Sequence, residues 1–167
     1  MVVLGHALLR AGHIPIVYSP RRGDIAEELR RASVAVPESL AHMDAAPDVI
    51  HGHTQLETMV AALTFPGVPV VATSHGFASW QNAAPPQFPR LRRYIAVDGA
   101  CADRLRLECA IPEDRIALHL NFVDLRRFPL RTPLPARPAR GVVFSNEQAY
   151  PHNAVIESVC RQRGITL

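Results

Sequence analysis

Short apolar runs recur along this chain, and two of the three gaps between them each hold one helix. Val49-Ile50-His51, Val68 to Thr73, Tyr94 to Val97 and Ile116 to Leu120 read as strands. Between them, Gln55 to Leu63, with Met59, Val60 and Leu63 on its apolar face, and Ala100 to Cys109 read as helices. Strands alternating with helices in this way fold as βαβ units around a parallel sheet. Upstream, Leu4, Leu8, Leu9 and Ala11 recur at helical spacing with Gly12 as a stop. Ile14 to Tyr18 then reads as a strand, Ile25 to Arg31 as a short helix and Val34 to Val36 as a brief strand. The expected fold class is α/β, a Rossmann-like parallel sheet with helices on both faces. One feature is unusual. A doubly wound sheet opens with a strand and a glycine-rich turn, whereas Met1-Val2-Val3-Leu4 runs straight into a helix.

The length of 167 residues suits one domain or one and a fraction. Pro129, Pro133, Pro135 and Pro138 punctuate an extended linker over 129–140. The expected organisation is therefore a first domain over 1–128, truncated at its start, and the beginning of a second Rossmann-like domain over 141–167. In that second piece Gly141 to Ser145 is a strand and Asn153 to Gln162 a helix.

Composition removes several kinds of chemistry. All 18 basic residues are Arg, so a Schiff base, a Walker A lysine and a lysine general base are excluded. Eleven of those Arg lie between Arg90 and Arg140, yet 15 acidic residues hold the net charge to +3. Aromatic residues make up 6% and do not interleave with the Arg, so nucleic acid is not an expected partner. The Arg-rich half makes peripheral contact with a membrane an open expectation. No apolar run approaches ~18 residues and no secretory signal opens the chain, which reads as cytoplasmic. Cys101, Cys109 and Cys160 lack C-x-x-C spacing and are expected to be free thiols.

Two strand ends carry the chemistry-bearing residues. His51-Gly52-His53-Thr54 and Thr73-Ser74-His75-Gly76 each close an apolar strand, where open α/β sheets bind ligands. An imidazole there can donate to a sugar hydroxyl or a phosphate oxygen, and Gly76 lets the backbone approach a ligand closely. Phe77 and Trp80 in the loop over Gly76 to Pro89 offer a stacking wall for a sugar face or a plain hydrophobic anchor. His51 and His53, two apart on a strand, face the same way, which leaves an H-x-H metal hydrolase as an alternative, with Asp98 as the further ligand. Neither G-x-S-x-G nor G-x-G-x-x-G occurs.

Four segments, in order, complete a resemblance. Ala11-Gly12-His13-Ile14-Pro15-Ile16, Pro47-Asp48-Val49-Ile50-His51-Gly52-His53, Val68-Pro69-Val70-Val71-Ala72-Thr73-Ser74-His75-Gly76 and Asn121-Phe122-Val123-Asp124-Leu125-Arg126-Arg127-Phe128 stand in the order of family-4-like glycosyltransferases. Tyr94-Ile95-Ala96-Val97 resembles a further segment of that family, with Asp98 where Ser is usual. The resemblance spans residues 1–128.

It implies a GT-B architecture, two Rossmann-like domains across a cleft, and transfer of a sugar with retention, using a nucleotide-sugar donor as co-substrate and no cofactor or metal. The acceptor is then a carbohydrate or lipid-linked hydroxyl in cell-surface polysaccharide or glycoconjugate synthesis. By the same resemblance His75 is the catalytic histidine that reaches the transferred sugar. His53 and Thr54 then line the acceptor side and Asn121 faces the cleft, joining Gly76 and Trp80, read from the residues above, as the substrate-binding set, while Asp124 and Phe128 fix the chain as it leaves the sheet. The chain would supply only the acceptor-side half of such an enzyme and be inactive alone. The other expectation is a non-catalytic module in which two copies pair through unpaired sheet edges.

Overall fold

The computed structural model describes residues 2–76, 83–123, 125–126, 128–129, 133, 135–143 and 153–167. Phe77, Trp80, Asp124 and the segment from Phe144 to Asn146 lie outside the described residues. The chain divides into two compact units, Met1–Phe122 and Val123–Leu167.

The first unit is built on four strands in the order β1 (Ile50–Gly52), β2 (Val70–Ser74), β3 (Leu91–Ala96) and β4 (Ile116–Leu118). Every neighbouring pair is parallel, the arrangement that strand–helix alternation dictates. Helix α1 (Val2–Arg10) and helix α2 (Asp24–Arg31) precede the sheet, α3 (Gln55–Thr64) joins β1 to β2, and α4 (Gly99–Leu107) joins β3 to β4. Gly12, at φ 82°, closes α1 while His13 N–H bonds back to Leu8 O at 3.0 Å, the left-handed stop expected of glycine.

The alternation of β2 sorts its side chains cleanly. Val70, Ala72 and Ser74 are buried, and Val71 and Thr73 are half-buried. On the buried face, Val70 and Ala72 join Tyr94 and Ala96 of β3, Ala62 of α3 and Cys101, Ala102 and Leu105 of α4 in one apolar cluster. Burying such aliphatic side chains contributes roughly 1.5–3 kcal/mol each. The Tyr94 phenol, 1% exposed, donates to Pro85 O at 3.0 Å, which satisfies its one polar atom.

Arg90 closes the far end of α3. Its guanidinium donates to Ala62 O at 2.9 Å, Phe65 O at 3.2 Å and Val68 O at 2.9 Å. Ala62 O is a carbonyl that the end of the helix leaves open, Phe65 O also accepts the Val68 N–H at 3.1 Å, and the planar fork of one guanidinium meets all three carbonyls. The Arg90 guanidinium also lies 5.5 Å from the Phe88 ring centroid.

Upstream of the sheet the strand pattern is reduced to its minimum. Ile14 to Tyr18 and Val34 to Val36 meet only at the parallel bridge Ile16↔Ala35, with Val17 N–H donating to Ala35 O at 2.9 Å. Ile14 is 88% exposed and Ile16 40%, so the first run has little apolar surface covered, whereas Val34 of the second is buried.

In the second unit α5 (Asn153–Gln162) ends at Gly164, φ 68°, and Ile165 N–H returns to Cys160 O at 2.8 Å. A parallel bridge joins Arg140 to Thr166 and Gly141 N–H donates to Thr166 O at 2.8 Å, but Gly141 to Val143, the described part of the strand expected over 141–145, forms no strand. All three cysteines are free. Among the described residues no helix is long and apolar enough to cross a membrane.

Candidate functional site

Register brings the histidines together. Ile50 pairs with Val70, His51 with Val71 and Gly52 with Ala72. Side chains of His51, His53, Thr73 and His75 therefore fall on one face at the carboxyl ends of β1 and β2. His51 Nε2 lies 2.7 Å from Thr73 Oγ1, and His53 Nδ1 lies 2.8 Å from His75 Nε2. The imidazoles form a short ladder, with ring centroids 4.3 Å apart for His51–His53 and 5.1 Å for the stacked His53–His75 pair.

Gly52 makes this possible. A Cβ there would stand 1.9 Å from Thr58 Oγ1 and 2.7 Å from Thr58 Cβ, so α3 reaches the strand only where a side chain is missing. Thr58, 2% exposed, is itself held by its backbone N–H to Thr54 O at 3.2 Å and by its hydroxyl to the same carbonyl. Thr54 takes the N-cap of α3, but its hydroxyl donates to the Glu57 carboxylate rather than capping the helix. The Thr54-x-x-Glu57 spacing is the sequence signal of a capping box. It would have marked Glu57 as part of this corner.

The electrostatics favour neutral imidazoles. Loss of hydration around the His53 ring, reinforced by the neighbouring His51 and His75, pulls its pKa down to about 4. Desolvation also lowers His51, with His75 adding to the effect, and it lowers His75. A contact between Nδ1 and Nε2 requires one nitrogen to donate and the other to accept. The pair therefore holds complementary tautomers and cannot be fully protonated on both rings. The second nitrogen of His53, Nε2, is buried without a hydrogen-bond partner among the described residues.

A cavity of about 330 Å³ opens beside this ladder. Ile16 to Ser19 line one side and Val49 to Thr54 the other, with Glu57, Thr58 and Phe65 of the α3 region below. Cavities of this size take small ligands. Its polar lining residues include Tyr18, Ser19, His51, His53, Thr54, Glu57 and Thr58.

Of the residues read from the sequence, His53, Thr54, His75 and Gly76 are brought to one end of the sheet. Asn121 follows β4 and is exposed, and Trp80 lies outside the described residues. Asp98 does not join the histidines; it caps α4 by accepting the Cys101 N–H at 2.7 Å, and that bond holds its carboxyl below the usual range. Among the described residues no group of three or more His, Cys, Asp or Glu side chains is arranged to hold a metal ion. A residue that the sequence did not single out is Arg104 of α4, whose guanidinium donates to Gly76 O at 3.0 Å.

Known proteins share this frame. A crystal structure of a glycosyltransferase from Rickettsia africae ESF-5 superposes with a TM-score of 0.57 at 15% identity, covering 97% of this chain and 44% of that one. The likeness is one of fold, and the chain spans less than half the length of that relative. No curated protein sequence matches significantly. The sequence profile described as Glycosyltransferase Family 4 matches residues 1–127, which contain all four strands and the histidine ladder. On that match, over most of its length, the chain belongs to glycosyltransferase family 4.

Proposed function

We propose that this chain is the acceptor-side half of a retaining glycosyltransferase, in which His75 contacts the sugar being transferred. The observation that carries the reading is the His53–His75 contact at 2.8 Å, on adjacent strand ends where open α/β sheets place their ligands. A nucleotide sugar is the donor and a hydroxyl of a carbohydrate or lipid-linked glycan the acceptor, in the assembly of a cell-surface polysaccharide or glycoconjugate. In the reaction the anomeric carbon's bond to the nucleotide diphosphate oxygen breaks and a bond to the acceptor oxygen forms. The acceptor proton leaves toward the departing phosphate. His75, neutral near pH 7 because desolvation lowers its pKa, donates one ring N–H to the sugar and accepts no charge. His53 holds its partner nitrogen and so selects which ring nitrogen of His75 faces the ligand. The cavity beside β1, with Tyr18, Ser19 and Glu57 in its wall, is the acceptor's place.

The test is transfer from a panel of radiolabelled nucleotide sugars by the complete enzyme that contains this acceptor-side half and by its His75→Ala variant. Loss of a positioning hydrogen bond is expected to lower turnover about 100-fold. Unchanged turnover in a folded variant would remove His75 from the reaction.

A second reading, pairing of two copies through a sheet edge, draws on β1. Ile50 N–H donates to Pro69 O at 2.9 Å on the β2 side. Strand alternation then turns the backbone groups of Val49, His51 and His53 to the opposite edge. Val49 there is 54% exposed. Light scattering showing a strict monomer at high concentration would dismiss it.

A further inference from the structure

We propose that Arg104 is a positioning residue for His75, a role that rests on the reading of His75 as the histidine that meets the sugar. The argument begins with where the chain is held around His75. On one side of it, Ser74 O accepts the Val97 N–H at 3.3 Å, and Ser74, 6% exposed, also meets the Cys101 thiol. On the other side, Gly76 O accepts from Arg104 at 3.0 Å. The peptide unit before His75 is thus tied to the residue before the cap of α4, and the carbonyl of Gly76, the next residue along, is tied to α4 itself, while the His75 side chain reaches the other way to His53.

β2 itself ends at Ser74, so the sheet ladder no longer restrains Gly76. Glycine without a ladder bond has the widest choice of backbone angles of any residue. A fixed donor on its carbonyl is what narrows that choice. Arg104 is suited to the task because it is itself fixed. Its side chain is 18% exposed, and its Nε lies 3.4 Å from the Glu108 carboxylate one turn along α4. One planar group therefore spans two partners, Glu108 through Nε and Gly76 O through a terminal nitrogen. A lysine ammonium has no such fork. Charge-assisted bonds of this kind are roughly twice as strong as neutral ones. The consequence is a His75 whose backbone orientation, and with it the 2.8 Å meeting with His53, depends on a helix that contributes no side chain to the histidine ladder.

The experiment is imidazole nitrogen NMR on the ¹⁵N-labelled chain, for the native protein and Arg104→Gln, Arg104→Met and Glu108→Gln variants, each checked for folding by circular dichroism. In the native chain His75 shows two well-separated nitrogen signals, as one fixed tautomer does. Arg104→Gln moves them toward the averaged positions of exchanging tautomers, and His75 then titrates closer to an ordinary histidine. Arg104→Met keeps the apolar stem without the donor and gives the same result, so it carries the comparison if the Gln variant does not fold. Glu108→Gln, which weakens the pair that holds Arg104 but keeps the guanidinium, moves the His75 signals in the same direction by less than either Arg104 variant. Signals and titration superposable on the native ones in a folded Arg104 variant would overturn the proposal. If His75→Ala leaves sugar transfer unchanged while Arg104→Gln still moves the His75 signals, the positioning stands and the catalytic reading falls. If transfer needs His75 but its signals ignore Arg104, the outcome is the reverse.

Discussion

Nδ1 of His53 meets Nε2 of His75 at 2.8 Å, although the two residues lie 22 positions apart and on different strands. The parallel register sets this distance: each histidine closes its strand, and His51 meets Thr73 across the same 22-residue interval. Two neutral rings that share one hydrogen bond make a site able to present a defined donor, which is what orientation of a sugar hydroxyl requires.

That pair predicts a pH response. His53 stays neutral in the folded chain down to about pH 4, while the unfolded chain protonates near the ordinary histidine value of 6.5. Between those values the unfolded state binds more protons, so stability contributed here is full above pH 6.5 and declines as pH falls toward 4. The loss is on the order of 2 kcal/mol once the partial solvent access of the ring is allowed for. Urea midpoints across this range, compared with those of His53→Phe, measure it; parallel pH curves for the two proteins would refute it.

Gly52→Ala is expected to be among the costliest single-methyl changes in this chain. Its Cβ would meet Thr58 Oγ1 at 1.9 Å and Thr58 Cβ at 2.7 Å, and the second of these cannot turn away by a rotamer change. Overpacking of that kind costs about 3 kcal/mol, and the separation of β1 from α3 would also displace His51 and His53. Thermal melting gives the stability loss.

Arg90→Ala removes three bonds to carbonyls at and beyond the end of α3. A loss of about 2–3 kcal/mol is expected, because Ala62 O and Val68 O lose their donor, whereas Phe65 O keeps the Val68 N–H. Arg90→Lys, with one ammonium in place of a fork, recovers only part of it in denaturant unfolding.

Ala110→Gly works in the opposite direction. Ala110 ends α4 at φ 51°, and Ile111 N–H returns past it to Leu105 O at 3.0 Å. A left-handed alanine costs roughly 1 kcal/mol relative to glycine. The variant should melt a few degrees higher, and an unchanged melting temperature would show that no strain is held there.

Tyr94 offers an internal probe of the core. Burial pushes its phenol up to about 12, so folded protein ionises it late while the unfolded chain does so near 10. Stability from this group is full below pH 10 and lost as pH rises toward 12. Ultraviolet titration follows it directly, and Tyr94→Phe, which forfeits the bond to Pro85 O, should lose about 1 kcal/mol.

Much of the frame was legible in the residues alone. The buried run Val68 to Thr73, the helices at Gln55–Thr64 and Asn153–Gln162, and the four motifs in order were enough for a parallel α/β sheet and for the family. Periodicity reports which residues are apolar and at what spacing, and that suffices for helix and strand type. It says nothing about partners. Ile14 to Tyr18 carries a strand's composition but forms one bridge, because pairing depends on what lies alongside. His53 and His75 were each readable as strand-end histidines, yet their contact needed the register of β1 on β2. Arg104, Arg90 and the Gly52–Thr58 approach were invisible for the same reason. An arginine on a helix reads as solvated until the fold brings an unpartnered carbonyl within reach. Local sequence thus determined the elements and their order. Only the tertiary structure decided which polar groups meet, because hydrogen bonds act over about 3 Å between residues that the chain itself keeps far apart.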